Sequence, residues 1–241
     1  MNFNINKNQH LLFNNKGILQ TGKRFITEMG AEALHGFKYF DVSINGLFLH
    51  KKYNLDDKEI NTQSTSIPSI KIKISSLLRS SSIGSFSLLM PEFIYQKTNY
   101  KDQSMDPIFD LHQRNLGNFN RLNTKYFFGK DRVPDTEFLL ASLKWQKRIK
   151  SNSALNFQII KKNELEESQI INSMLDQPIG KDNQIGTHLS FENKILRAFV
   201  VANYSQKRNT LNFGQAGLNI QLPETRLTFS RKFQSNIPLL N

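Results

Sequence analysis

Between Phe138 and Ile160 polar and apolar residues alternate nearly one for one, and a period of two fits a strand, not a helix. Leu139, Ala141, Leu143, Trp145 and Ile149 fall on one side of such a strand, and Ser142, Lys144, Gln146, Arg148 and Lys150 on the other. After the turn-forming Ser151-Asn152-Ser153, Leu155, Phe157 and Ile159 alternate with Ala154, Asn156 and Gln158. The pattern predicts a hairpin with one buried and one wet face, with Trp145 as a core anchor. No Asp or Glu occurs from Phe138 to Asn163, whereas Lys144, Lys147, Arg148, Lys150, Lys161 and Lys162 all fall there, so the wet face is expected to be positive.

The same period recurs along the chain. Phe40, Val42, Ile44 and Phe48 predict a strand or strand pair over 37–50, broken near Asn45-Gly46. Ile70, Ile72 and Ile74 mark another, and 83–90 is a further apolar run. Strands are also expected at 189–191, 195–204, 211–213, 218–222 and 227–233, with a bend or bulge at Gly214-Gln-Ala-Gly217. Two segments read as helices: 21–35, by the spacing of Phe25, Ile26, Met29, Ala33 and Leu34, and 164–176, by an Asn163-x-x-Glu166 cap and Pro178 beyond the end. Residues 1–20 read as a flexible arm or an edge strand, and 51–66 as a polar loop. The sum is a mainly β fold, an antiparallel jelly-roll-like sandwich or barrel with one or two short helices. It forms a single domain over 21–241 with a loop excursion at about 97–135 and a short strand at 126–128.

Composition narrows the chemistry. There is no cysteine, so disulfides and thiolate metal sites are excluded, and a reducing, intracellular location is expected. No apolar run is long enough for a spanning helix, and Met1-Asn-Phe-Asn-Ile-Asn-Lys7 lacks the apolar core of a secretory signal. His10, His35, His50, His112 and His188 pair with neither each other nor a carboxylate at ligand spacing, and no nucleophile, phosphate-loop or zinc motif occurs. A non-enzymatic protein without metal or cofactor is expected.

The net charge of +12 points to anionic partners. The candidate nucleic-acid-binding set is Lys144, Lys147, Arg148, Lys150, Lys161, Lys162, Lys207 and Arg208, joined by Arg197, Arg226, Arg231 and Lys232, with Tyr126, Phe127 and Tyr204 as aromatics able to stack on bases. Separately, Gln215-Ala-Gly217-Leu-Asn-Ile220-Gln-Leu222 is similar to the polar-x-Gly-x-x-hydrophobic-x-hydrophobic signal of mitochondrial outer-membrane barrels. Spanning strands need about nine to eleven residues with an apolar lipid face, and the charged, short strands expected in the first half fit that poorly.

The order of Ala141-Ser-Leu-Lys-Trp-Gln-Lys-Arg-Ile149, Leu155-Asn-Phe-Gln-Ile-Ile160, His188-Leu-Ser-Phe-Glu192 and Phe199-Val-Val-Ala-Asn-Tyr204 resembles the core of the plant-virus movement proteins of the thirty-kilodalton superfamily. The resemblance implies a jelly-roll-like core that coats single-stranded nucleic acid, RNA more than DNA, and carries it between cells. It also implies host cytoplasm, plasmodesmata or the membrane periphery as the location, with membrane and self-association as further contacts. The family's characteristic Asp would fall near Trp145, where there is no acid. Asp131 in Gly129-Lys-Asp-Arg132 replaces it only in another alignment. The alternative is a viral matrix or assembly protein that binds anionic membrane and ribonucleoprotein, with 83–95 as its apolar membrane-contact loop.

Overall fold

The computed structural model describes residues 2–13, 19–55, 62–103, 106, 112–113, 127–128, 133–149, 152–169, 171–172, 177–178 and 181–234. They form β1 (Asn2–Phe13), β2 (Leu19–Gly36), β3 (Asp41–Leu55), β4 (Thr62–Ser75), β5 (Leu78–Ser82), β6 (Ser85–Thr98), β7 (His112–Gln113), β8 (Phe127–Phe128), β9 (Thr136–Ile149), β10 (Ser153–Glu164), β11 (Ile171–Asn172), β12 (Gln177–Pro178), β13 (Gln184–Glu192), β14 (Leu196–Ser205), β15 (Thr210–Gln221) and β16 (Arg226–Gln234). The mainly β, antiparallel class expected from the alternation is what forms. Eleven strands run up and down in the order β1-β2-β3-β4-β6-β9-β10-β13-β14-β15-β16, without the strand exchanges of a Greek key.

β5 prolongs β4. Ser75 pairs with Glu92 and Leu78 with Leu89, so both strands follow one ladder along β6. The break between them lies opposite Pro91, which has no N–H to give and only accepts from the Ser76 amide. Gly84, at φ 76°, closes the β5–β6 turn in the left-handed region.

Several expectations are corrected. Residues 21–35 are strand: β2 pairs with β3 from Gly22 to Gly36, and this ladder overrides the helical spacing of its apolar residues. No helix occurs among the described residues of 164–176; Glu164 ends β10, and Ile171–Asn172 is a strand. Of the two options for 1–20, residues 2–13 form the edge strand, paired with β2 throughout. The polar stretch 51–66 is largely strand, as β3 runs to Leu55 and β4 starts at Thr62. Residues 85–95 are β6 and not a loop. The first-half strands are long, from 12 to 18 residues in β1 to β4.

The connections differ at the two ends of the sheet. One end carries only short connections, 37–40, 83–84, 150–152, 193–195 and 222–225, while the other carries 14–18, 56–61 and 206–209 together with the two long ones, 99–135 and 165–183. Main-chain closures at the short end include Phe37 N to Phe40 O, Asn193 N to Leu196 O and Leu222 N to Thr225 O.

Candidate functional site

The register assigns each described side chain of the main ladder to one of two faces, because paired residues share a face and neighbours along a strand do not. One row runs Ile44, Ile72, Tyr95, Leu139 and Asn163, and the row beside it runs Ser43, Lys73, Ile94, Leu140 and Lys162. Apart from Asn212 at the β15 bulge, every buried strand residue belongs to the second face, among them Ile26, Leu49, Tyr53, Leu140, Ile160, Lys51, Lys162, Gln184 and Asn203. This face is therefore the concave, enclosed one. The large hydrophobics left exposed in strands belong to the first face, including Met29, Ile44, Phe48, Ile70, Phe93, Leu143, Ile159, Leu189, Val200 and Phe229, with Leu34 as the exception.

The arrangement inverts the expected one. The apolar side of the 138–160 hairpin faces outward, with Leu143 and Ile159 each 37% exposed, while its polar side lies in the concavity, with Ser142 buried. Trp145 is half-buried on the convex face beside Leu89 and Phe157, and it anchors no core. Alternation had separated the two faces correctly but carried no mark of which was inside.

The concave face is polar and positive in its exposed part. From β4 to β16 it carries Lys71, Lys73, Arg79, Lys144, Arg148, Arg197, Arg226 and Lys232 against Glu92 and Glu192. Arg148 lies over the Phe86 ring at 5.5 Å, a cation–π contact that holds the guanidinium against the wall. His188 sits in the row of Lys144, Gln158 and Val201. Burial holds its imidazole below the ordinary range, and the charges of Arg197 and Lys144 act in the same direction.

Toward the long-loop end the concavity is filled by paired polar groups. Lys51 Nζ is 2.7 Å from Asp106 Oδ2, with both side chains fully buried. Gln103 Oε1 accepts from Lys51 Nζ and from the Val133 amide, Gln103 Nε2 donates to the Val133 carbonyl, and Thr65 donates to Asp106 Oδ1. Val133 also packs on the Ile26, Leu49 and Ile67 cluster. Excursion residues thus reach inside the wall formed by β2, β3 and β4. A second set joins Lys162 to Glu164 at 2.6 Å, the Glu164 carboxylate to the Asp182 amide, Ser205 to Asp182, and Asn203 to Gln184.

At the same end of the convex face, Glu137 accepts from Tyr95 Oη at 2.7 Å and from Lys97 Nζ at 2.6 Å. The bond from Lys97, then that from Tyr95, lowers the Glu137 carboxyl below its ordinary range, and the same contacts raise Tyr95 and Lys97. This polar group borders the exposed apolar belt.

The candidate nucleic-acid set is scattered. Lys144 and Arg148 are concave and exposed, Lys147 and Lys161 are convex, and Lys162 is buried against Glu164. Lys207 and Arg208 are in the β14–β15 turn, where Lys207 lies 3.9 Å from Glu167. Lys150, Tyr126 and Asp131 lie outside the described residues, as does the side chain of Phe127, and Tyr204 is convex. The odd spacing of Lys147 from Lys144 already placed them on opposite sides, a signal hidden by counting charges over a segment. No protein-family model and no curated protein matches this chain.

Proposed function

We propose that this chain is an integral β-barrel-type membrane protein whose convex face meets lipid and whose concave face lines a cationic passage for small anions. The observation that carries this is the inversion: exposed large strand hydrophobics, Leu34 excepted, lie on one face, while buried strand residues, charged ones included and Asn212 excepted, lie on the other. Water does not favour that distribution, whereas a bilayer around a polar lumen does. β9, β10 and β13 to β16, at 9 to 14 residues, meet the length a tilted spanning strand needs. Short connections throughout one end, with both long ones at the other, fit the same architecture. No helix among the described residues is long and apolar enough to cross a membrane.

Lys147 and Lys161 lie near the opposite ends of the convex belt, where long stems carry ammonium groups toward head groups. Cationic walls select anions by field and by hydrogen bonding to a partly dehydrated ion. In planar bilayers with a potassium chloride gradient, the protein should give discrete conductance steps with a reversal potential that favours chloride. Replacing Lys144, Arg148 and Arg197 together by Gln should move that potential toward the non-selective value.

Nucleic-acid coating, implied by the movement-protein resemblance, would have to use the same concave cations. A detergent-free, monodisperse protein that binds single-stranded RNA but enters no vesicle would replace the membrane assignment with that one.

A further inference from the structure

β1 and β16 are the two ends of the strand path, each with one outer edge unpaired among the described residues. From Arg226 to Phe233 both faces of β16 are exposed, unlike the enclosed concave positions on inner strands. If the sheet lies in a bilayer, as proposed above, no water is present to satisfy these edge amides and carbonyls, so both edges need a partner.

The register supplies one. Asn2 is level with Gly30, Leu47, Ser69, Thr98 and Thr136. Arg148, about twelve residues along β9 from Thr136, is level with Ala154, Glu192, Arg197, Asn219 and Thr228. Bringing Asn2 beside Thr228 would therefore need a climb of about twelve positions across the sheet, and bringing it beside Arg226, the first residue of β16, one of about fourteen. A sheet must carry such a stagger to close. With eleven strands about 4.8 Å apart and about 3.3 Å per residue, that climb corresponds to a strand tilt of roughly 40°, within the range of closed barrels.

Eleven strands in up-and-down succession leave the first and last pointing the same way. We infer that β1 and β16 pair with each other in parallel, closing a single chain into an eleven-stranded barrel. Two copies joined edge to edge would make a lumen of twice the strand number. The enclosed face argues for the narrower ring: Val201 of β14 packs on the Ile94, Phe138, Leu140 and Ile160 cluster, and the buried residues of this face are enclosed within one chain.

Because the chain has no cysteine, introduced thiols report this pairing directly. The two offsets place Asn4 level with Ser230 or with Thr228, so N4C/S230C and N4C/T228C bracket the register. N4C/E28C, across an observed ladder, is the positive control. After oxidation in vesicles, one of the two pairs should form an intramolecular disulfide to at least half the extent of the control. Disulfide-linked dimers, or no cross-link while the control forms one, would overturn closure by β1 and β16. Resistance to carbonate extraction is scored on the same samples. Protein that washes off fails the membrane assignment itself, whereas inserted protein without the intramolecular link fails only the closure.

Discussion

A Cβ on Gly217 would lie 2.4 Å from the Phe199 ring, closer than any side chain tolerates. Gly217 and Phe199 are direct partners on the concave face, so the missing side chain is what lets the ring lie flat against the wall. Gly217→Val should destabilise the protein by about 1–3 kcal/mol through overpacking. The double variant with Phe199→Ala should recover part of the loss, as read from urea unfolding of the vesicle-inserted protein. The sequence marked Gly217 as a bend and as the small residue of a barrel signal, and it becomes a packing position once its partner strand is known. Trp145 is the opposite case. Its apolar side is legible, but a core-anchor role requires that side to be the enclosed one, and here the polar side is enclosed.

Among the elements, β3, β4 and the 99–135 excursion are tied by the Lys51–Asp106 pair and its hydrogen bonds to Gln103 and Thr65. Two buried charges are stable only together, and removing one leaves the other in a dry site. Lys51→Met should therefore cost about 3–5 kcal/mol in the same unfolding measurement, and Lys51→Met with Asp106→Leu should cost much less. None of this is legible in the chain order, because Lys51 and Asp106 fall in polar stretches with little periodicity and only the fold joins them. The false helices have a local cause as well. In 21–35 the apolar residues fit a helical stripe, yet Phe25, Met29 and Ala33 are also an odd-numbered, one-sided strand set, and pairing along β3 decides between them. At 164–176 the cap pattern began at Asn163 and Glu164, but both are spent in the β10 ladder, where Glu164 is also buried against Lys162.

At the scale of the molecule, the antiparallel β class was readable because the period of two survives in strand after strand. Which face is enclosed was not readable, since alternation is symmetric under exchange of inside and outside. The +12 charge alone suggests one outward patch for nucleic acid, whereas much of the exposed charge on β4 to β16 lines the concavity. Trp145 is the only tryptophan and stands on the convex face, so its fluorescence reports that face alone. In vesicles made with acyl-chain-brominated lipid, Trp145 should lose most of its emission while aqueous iodide quenches it weakly. Strong quenching by iodide with none by the brominated lipid would contradict the membrane-facing assignment.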